Sequence, residues 1–545
     1  VRSSVLPNTE LTPRRRSGAA RRTAAIAHPS STSPFAAPRA MSVSIQRPAG
    51  AMDAGVPSAA MKHPVARHEA GIATSGARLG AVVLTIALGT TGWACGGVEA
   101  ATRGAKGGSE FHAAPAKPGG PVTTPAASAT APTASSIPDG PRPGETIEER
   151  ATRLHRQAII VDGHNDIPSV ILASNYDLGT RSTRTHTDLA RMKTGGITAE
   201  FFSIYVEGEL AEKPTVQGGG ALRRAVDLID VTYRQVERHP GDLLLATSVA
   251  DIRRAKREGK VAVLMGVEGG HAIENSLYAL RTLYRLGCRY MTLTHSNTNE
   301  WADSAGFNGP PVVRHHGLSP FGEEVVHEMQ RIGMLVDISH VSDETFWSVM
   351  KVAKAPVIAS HSSSRAVADH RRNMSDDMLR GLAKNGGVAM VNFWSMFLSN
   401  EYGAAAKKWF DKNGKAFGEL RSKLKDDPLA FREALEKLRA QGEPMPKVPF
   451  SVLIDHIDHM VKVAGIDHVG LGSDFDGVDD LPEGLTGIDG LPRITLELVK
   501  RGYKDEDVLK ILGGNFLRVF EAAEAYARST STTLSGDGST RRINQ

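Results

Sequence analysis

Eight short apolar runs, most of them separated by stretches of helical spacing, constrain this chain more than any other feature. The runs are Ala158–Val161, Ile197–Val206, Val261–Gly266, Tyr290–Thr294, Met334–Ile338, Val357–Ser360, Val388–Phe393 and Val469–Gly472. Helical spacing fills Ala221–His239, Ser276–Leu286, Gly322–Ile332, Asp343–Val352 and Asp376–Lys384 between them. Strands that alternate with helices build βα units and a parallel sheet. Eight such units favour a closed (β/α)8 barrel of the TIM type, an α/β fold, over an open doubly wound sheet. No Gly-x-Gly-x-x-Gly follows a strand, so nothing supports dinucleotide binding.

The folded part is expected over residues 146–527, with helical insertions. The longest gap between strands, Leu398–Ile466, holds a charged helical pattern over Lys407–Gly442 that Pro444–Pro449 breaks, then a helix over Phe450–Ala464. The amphipathic stripe of that insertion is expected to pack against the barrel. A closing helix over Asp505–Ala527 begins with Asp505-Glu506-Asp507, acidic residues that suit a helix N-terminus. The tail 528–545 is Ser/Thr/Gly-rich and expected to be disordered.

The region before the barrel has a different character. Residues 1–60 are rich in Arg, Ala, Ser and Pro without periodicity, and read as disordered or as an extension upstream of the true start. Residues 61–95 have the order of a secretory signal. Lys62, Arg67 and Arg78 precede the apolar Leu79–Leu88, and small residues lead to Cys95. The end resembles a bacterial lipoprotein cleavage box, although Gly92 stands where that pattern usually has Leu; an ordinary signal with an incidental cysteine is the alternative. Residues 96–145, rich in Ala, Pro, Gly, Ser and Thr, cannot bury enough apolar surface to offset their ordering entropy and read as a tether. The expected location is therefore exported, periplasmic or at the cell surface, anchored to a bacterial membrane only through a lipidated Cys95. The net charge of +5 comes partly from Arg14-Arg15-Arg16 and Arg21-Arg22 in this region, so a nucleic-acid partner is not expected. Two cysteines, Cys95 and Cys288, allow neither a disulfide framework nor a Cys-rich metal site.

The chemistry collects where the apolar runs end. The first leads into Val161-Asp-Gly-His-Asn-Asp166, in which His164 and Asp166, two apart on an extended segment, face one side just past the strand. Taken alone, the pair also fits a strand end with a polar turn. Later runs end in residues of the same type: Glu268, His295, His340, His361 and Asp474. Barrel active sites are assembled at that face from several strand ends. His164, His340 and His361 with Asp166, Glu268 and Asp474 make a nitrogen and oxygen donor set without thiolate, suited to Zn²⁺ or a similar cation.

These stretches resemble the membrane dipeptidase (renal dipeptidase-like) family, peptidase family M19, metal-dependent barrels of amidohydrolase type. The matching segments are Asp162-Gly-His-Asn-Asp166, Gly266-Val-Glu-Gly-Gly-His271, Leu293-Thr-His295 with Trp301-Ala-Asp303, Asp337-Ile-Ser-His340, Ser360-His-Ser362, Arg371-Arg-Asn373 and Gly472-Ser-Asp-Phe-Asp-Gly477. The resemblance implies two Zn²⁺, one held by His164 and Asp166 and the other by His340 and His361, with Glu268 bridging. It further implies that a metal-bridging hydroxide attacks the peptide bond of a dipeptide. His295 would steady the tetrahedral intermediate and Arg372 grip the terminal carboxylate. Asp474 would bind the free amine or shuttle a proton; a further metal ligand is its other reading. Arg371 is the neighbouring alternative to Arg372. Expected substrates are L,L dipeptides and those with a C-terminal D-residue.

The chain departs from the animal relatives, which carry a C-terminal lipid signal and disulfides. A disulfide-linked dimer is therefore in doubt, whereas a homodimer formed by packing fits the family. Two other functions are compatible with the residues alone. One is a binuclear amidohydrolase acting on another small amide or lactam; the other is a tethered binding protein that has kept the barrel without the chemistry.

Overall fold

The computed structural model describes residues 143–212, 220–307, 309–425 and 427–536. The signal-like segment with Cys95 and nearly all of the expected tether lie outside the described residues. Among the described residues nine strands form one parallel sheet: β1 (Val161–Asn165), β2 (Ala199–Tyr205), β3 (Leu243–Leu245), β4 (Val261–Glu268), β5 (Cys288–Thr292), β6 (Leu335–Asp337), β7 (Ile358–Ala359), β8 (Val388–Val391) and β9 (Val469–Leu471). Their order runs β2-β1-β9-β8-β7-β6-β5-β4, and a further pairing of β2 with β4 closes the ring. Eight strands therefore make the expected barrel. Short β3 pairs with the first residues of β4, before β5 takes over that edge at Met265. Its three residues lie between two helices and carry no alternation, which is why the sequence shows no sign of them.

Alternation along the strands divides the core in two. Val161, Ala199, Phe201, Ala262, Leu264, Tyr290, Leu335, Ile358, Val388 and Met390 fill the lumen together with Phe516 and Phe520. The opposite faces, among them Phe202, Ile204, Val263, Met265, Met291, Val336, Ala389 and Val391, pack with the surrounding helices. Period-two patterning on a strand buried on both sides requires both sets to be apolar. The lumen is closed at its floor by the last helix, Asn515–Gly536, where Phe516 meets Phe201 edge-on at a centroid distance of 5.3 Å.

The surrounding helices begin where short polar side chains cap them. Ser248, Ser276, Ser319, Ser342 and Ser375 each accept a hydrogen bond from a backbone N–H in the first turn. Two expected helices, Asp343–Val352 and Phe450–Ala464, have the bounds read from the sequence. Three elements differ by more than two residues. The first strand starts at Val161 rather than ending there, so His164 lies within it. The insertion is two helices, Asn400–Lys423 and Pro428–Arg439. Phe417 joins them to each other through Phe410 and Phe431, while Tyr402, Ala406 and Leu429 pack into the core around the barrel as expected, and Arg432 and Arg439 reach the barrel loops. The closing helix is broken by a turn of π-helix over Lys510–Gly514 and runs past Ala527 to Gly536. Among the described residues, no helix is long and apolar enough to cross a membrane.

Candidate metal centre

The expected site residues converge at the C-terminal mouth of the barrel. β1 brings His164, and the register of β1 against β2 slips by one residue between Asp162 and Asn165. Such a bulge changes which face successive side chains take. It allows Val161 to fill the lumen while His164, three residues on, also turns inward; Asn165 then points outward to Thr187 and Glu200, each 2.8 Å away. Asp166 follows as the first residue beyond the strand, and its Oδ2 lies 3.4 Å from His164 Nε2. Glu268, at the end of β4, lies at the centre. Its Oε1 is 3.1 Å from His340 Nε2, 3.5 Å from His361 Nε2 and 4.0 Å from His295 Nε2, and its Oε2 is 3.4 Å from His164 Nε2. His340 and His361 bring their Nε2 atoms within 2.8 Å of each other.

Backbone detail holds these groups. His340 and Asp474 adopt left-handed conformations with φ of 69° and 65°, which non-glycine residues rarely do. The carbonyl of His340 accepts from Ala305 N, and the Ser304 hydroxyl lies between it and the carbonyl of His295, to the nearer of which, His295, it donates its hydrogen. Gly477 has no room for a side chain, since a Cβ there would lie 2.1 Å from Asp166 Oδ2. Gly266 is needed for a second approach: the ring of Tyr290 crosses it so closely that a Cβ would lie 2.0 Å from the ring carbon bearing the hydroxyl.

Burial dominates the electrostatics. It pushes the Asp474 carboxyl up to about 7, and the nearby Asp166 and Glu268 charges add to this while His164 and Asn392 oppose it. His295 is pushed down to about 3 by burial, reinforced by Arg372 and Arg421. Burial and neighbouring positive charge hold His340 and His361 well below the usual imidazole range. At His164 burial opposes the charged form, but Tyr290, Glu268 and Asp166 outweigh it and raise the pKa. The Arg372 guanidinium is lowered to about 10 by burial, against the pull of Asp474 and Glu268.

A cation fits this donor set. His164 Nε2 and His340 Nδ1 are buried without a hydrogen-bond partner, a costly state for an imidazole. Three groups of side chains place their ligand atoms within 4.8 Å of one another: His164, Glu268 and His361; Glu268, His295 and His340; and His164, Asp166 and Asp474. Glu268 and His164 are each shared by two groups. The grouping thus spreads His340 and His361 over separate clusters and includes His295 beside His340.

Arg372 is buried next to this centre. Its bonds are long, 3.4 Å from Nη1 to Ser362 Oγ and 3.4 Å from Nη2 to the His361 carbonyl, and its Nε has no partner. Arg371 instead braces a loop, donating to the Gly309 carbonyl at 2.7 Å and to that of Ala305. Its side chain bonds carbonyls rather than the carboxylate of a surface salt bridge. Three contributors escaped the sequence reading. Asn392 donates to Asp474 Oδ2 at 2.7 Å, Ser203 donates to Glu268 Oε2 at 3.2 Å, and Tyr290 Oη lies 2.8 Å from His164 Nδ1. Asn392 had a signal, since it is the polar residue near the end of the run Val388–Phe393, just past the strand. Tyr290 and Ser203 sit inside runs where aromatic and small residues are ordinary strand formers.

Known proteins resemble this chain along most of its described length. The profile of the family described as Membrane dipeptidase (Peptidase family M19) matches residues 148–534. Among solved structures, the probable dipeptidase PvdM from Pseudomonas aeruginosa is similar at 26% identity, covering 70% of this chain and 99% of its own, with a TM-score of 0.58. Dipeptidase AC, a metallopeptidase of family M19, is similar at 25% identity over 67% of this chain and 98% of its own, with a TM-score of 0.54. A metallopeptidase from Rhodobacter sphaeroides, solved with a phosphinate mimic of the dipeptide L-Ala-D-Ala, matches at 25% identity over 67% of this chain and 99% of its own, with a TM-score of 0.53.

Proposed function

The chain belongs to the membrane dipeptidase family, peptidase family M19, and is a metallo-dipeptidase; from that premise we propose that it works with two Zn²⁺ on L,L dipeptides and on dipeptides with a C-terminal D-residue. His164 and Asp166 would hold one ion and His340 and His361 the other, with Glu268 between them. When bound, two such ions supply a nucleophile from water near neutral pH and polarise the scissile carbonyl. The protein does the rest. Arg372 offers a planar fork to the substrate's terminal carboxylate. Its long bonds and unpaired Nε are the observation that carries the reading, because a buried guanidinium so poorly satisfied is poised for an anion. His295, neutral in this setting, donates to the oxygen that gains charge in the transition state. Asp474, held by Asn392, binds the substrate's free amino group or passes a proton to the scissile-bond nitrogen as it leaves. Recognition of both termini limits the substrate to about two residues, since a longer peptide leaves one charge unmatched.

The D-residue specificity is supported by the dipeptide mimic bound to the Rhodobacter sphaeroides relative. Export and attachment through a lipidated Cys95, and a homodimer formed by packing, complete the proposal; they rest on the sequence pattern and on the family resemblance.

The test is hydrolysis by the zinc-loaded protein of dipeptides containing Gly and Ala with L or D second residues, each also amidated at the C-terminus. We expect free dipeptides to be cut, amides to be spared and chelation to abolish turnover. Equal cleavage of free and amidated dipeptides would remove the role given to Arg372. Failure to cut D-containing substrates would remove the wider specificity.

A further inference from the structure

Several residues of the site motifs are neither expected ligands nor substrate contacts. Among them are Asp337 of Asp337-Ile-Ser-His340 and Ser360 of Ser360-His-Ser362, both fully buried. Asp337 accepts four hydrogen bonds. Oδ1 takes Ser339 N at 3.1 Å and Ser360 N at 2.8 Å, while Oδ2 takes Thr292 Oγ1 and Ser360 Oγ, both at 2.6 Å. The Ser360 hydroxyl also lies 2.8 Å from His361 Nδ1. A hydroxyl has one hydrogen, and a carboxylate can only accept. Ser360 therefore gives its hydrogen to Asp337 rather than to the more distant Ser339 Oγ at 3.5 Å, and must accept at the His361 contact. The hydrogen of that contact belongs to His361 Nδ1.

We propose that Asp337, acting through Ser360, sets the tautomer of His361: the proton is held on Nδ1, and the Nε2 lone pair is kept facing Glu268 and His340. Both are positioning residues. A ring nitrogen binds a cation only through its lone pair, and the bond made by the other nitrogen selects which one has it. His164 has a simpler arrangement. Its Nδ1 contacts Tyr290 Oη at 2.8 Å, and that hydroxyl donates to the Gly163 carbonyl at 3.2 Å. Its relay ends on a neutral carbonyl at longer range, so His361 is the more firmly set of the two. The inference deepens the zinc reading above and rests on it only where zinc is measured.

Asp337→Asn gives the decisive test because it keeps the shape and reverses one end of the relay. With Oδ1 still accepting the two backbone N–H groups, the amide NH₂ faces Thr292 Oγ1 and Ser360 Oγ. Ser360 then accepts, and its hydrogen turns to His361 Nδ1. The ring must carry its own proton on Nε2, and the lone pair leaves the site. The readout is histidine-selective ¹⁵N correlation spectroscopy on the full-length protein stripped of metal, with the His361 signals identified by their loss in His361→Gln. The wild type is expected to show the Nδ1–H form and Asp337→Asn the Nε2–H form. Zinc affinity, measured by competition with a chelating dye, is expected to fall about 10–100-fold in Asp337→Asn and in Ser360→Ala. Thr292→Val removes a donor to the same oxygen but leaves the relay intact, and is expected to keep the wild-type tautomer and affinity.

A wild-type His361 protonated on Nε2 overturns the proposal whatever zinc does, and needs no variant to fold. An unchanged tautomer in a folded Asp337→Asn overturns it as well. If Asp337→Asn does not fold, Ser360→Ala decides: wild-type zinc affinity there is a refutation. Correct tautomers in a protein that binds no zinc would support the relay and sink the metal reading instead.

Discussion

The floor and the mouth of the barrel lumen are both buried, yet they are built from opposite materials. At the floor Phe201, Leu264, Phe516 and Phe520 pack together with no charge among them. At the mouth His164, Glu268, His340, His361 and Arg372 are equally withdrawn from water, with several of their polar atoms unpaired or weakly bonded. Burying charge and unpaired polar groups costs free energy, whereas apolar burial at about 25 cal/mol per Å² recovers it. The contrast teaches that stability and chemistry are separated along one lumen. Tyr290 sits at the joint, with its ring 4.9 Å from that of Phe201 and its hydroxyl on His164.

This division can be broken from either end. The largest effect on stability is expected from Phe516→Ala, which empties part of the floor and should cost about 3–5 kcal/mol. Denaturant unfolding would measure it, and the protein that remains folded should keep its KM. A large rise in KM would mean that floor and mouth are mechanically coupled. His295→Ala should do the reverse, lowering kcat about 10²–10³-fold with the unfolding midpoint nearly unchanged. Steady-state kinetics beside thermal melting checks it; an unaltered kcat would remove the transition-state role. The smallest effect is expected from Arg371→Ala. That side chain braces the loop at Ala305 and Gly309, so kcat/KM and stability should move by no more than about 0.5 kcal/mol. A loss as large as that of Arg372→Ala would show that the two arginines share the carboxylate.

How far the residues alone reach depends on the kind of interaction. Seven of the eight barrel strands were visible as apolar runs, because a strand buried on both faces is largely apolar; the first run, Ala158–Val161, meets its strand only at Val161. The convergence of His164, Asp166, Glu268, His295, His340, His361 and Asp474 at one mouth was visible too, because parallel strands all end at the same face. Arg372 could be told from Arg371 only by motif position, since adjacent arginines differ in nothing but direction. The structure turns one toward His361 and the other toward Gly309. The bulge in β1 left no trace, because it is a property of the pairing with β2 and of neither strand alone. The split of the insertion into two helices that pack on each other was likewise hidden, since an apolar stripe does not say what covers it.

What the sequence by itself determined is therefore the parallel barrel, the face at which its chemistry collects and the nitrogen and oxygen character of the donors. These follow from periodicity and residue type, which are local. What only the tertiary structure decided is which atoms meet: Glu268 central to four imidazoles, Asp474 steadied by Asn392, and Asp337 reaching His361 through Ser360. Hydrogen bonds and lone pairs are directional to within a fraction of an ångström, and their partners come from strands far apart in the chain. That precision exists only once the barrel has closed.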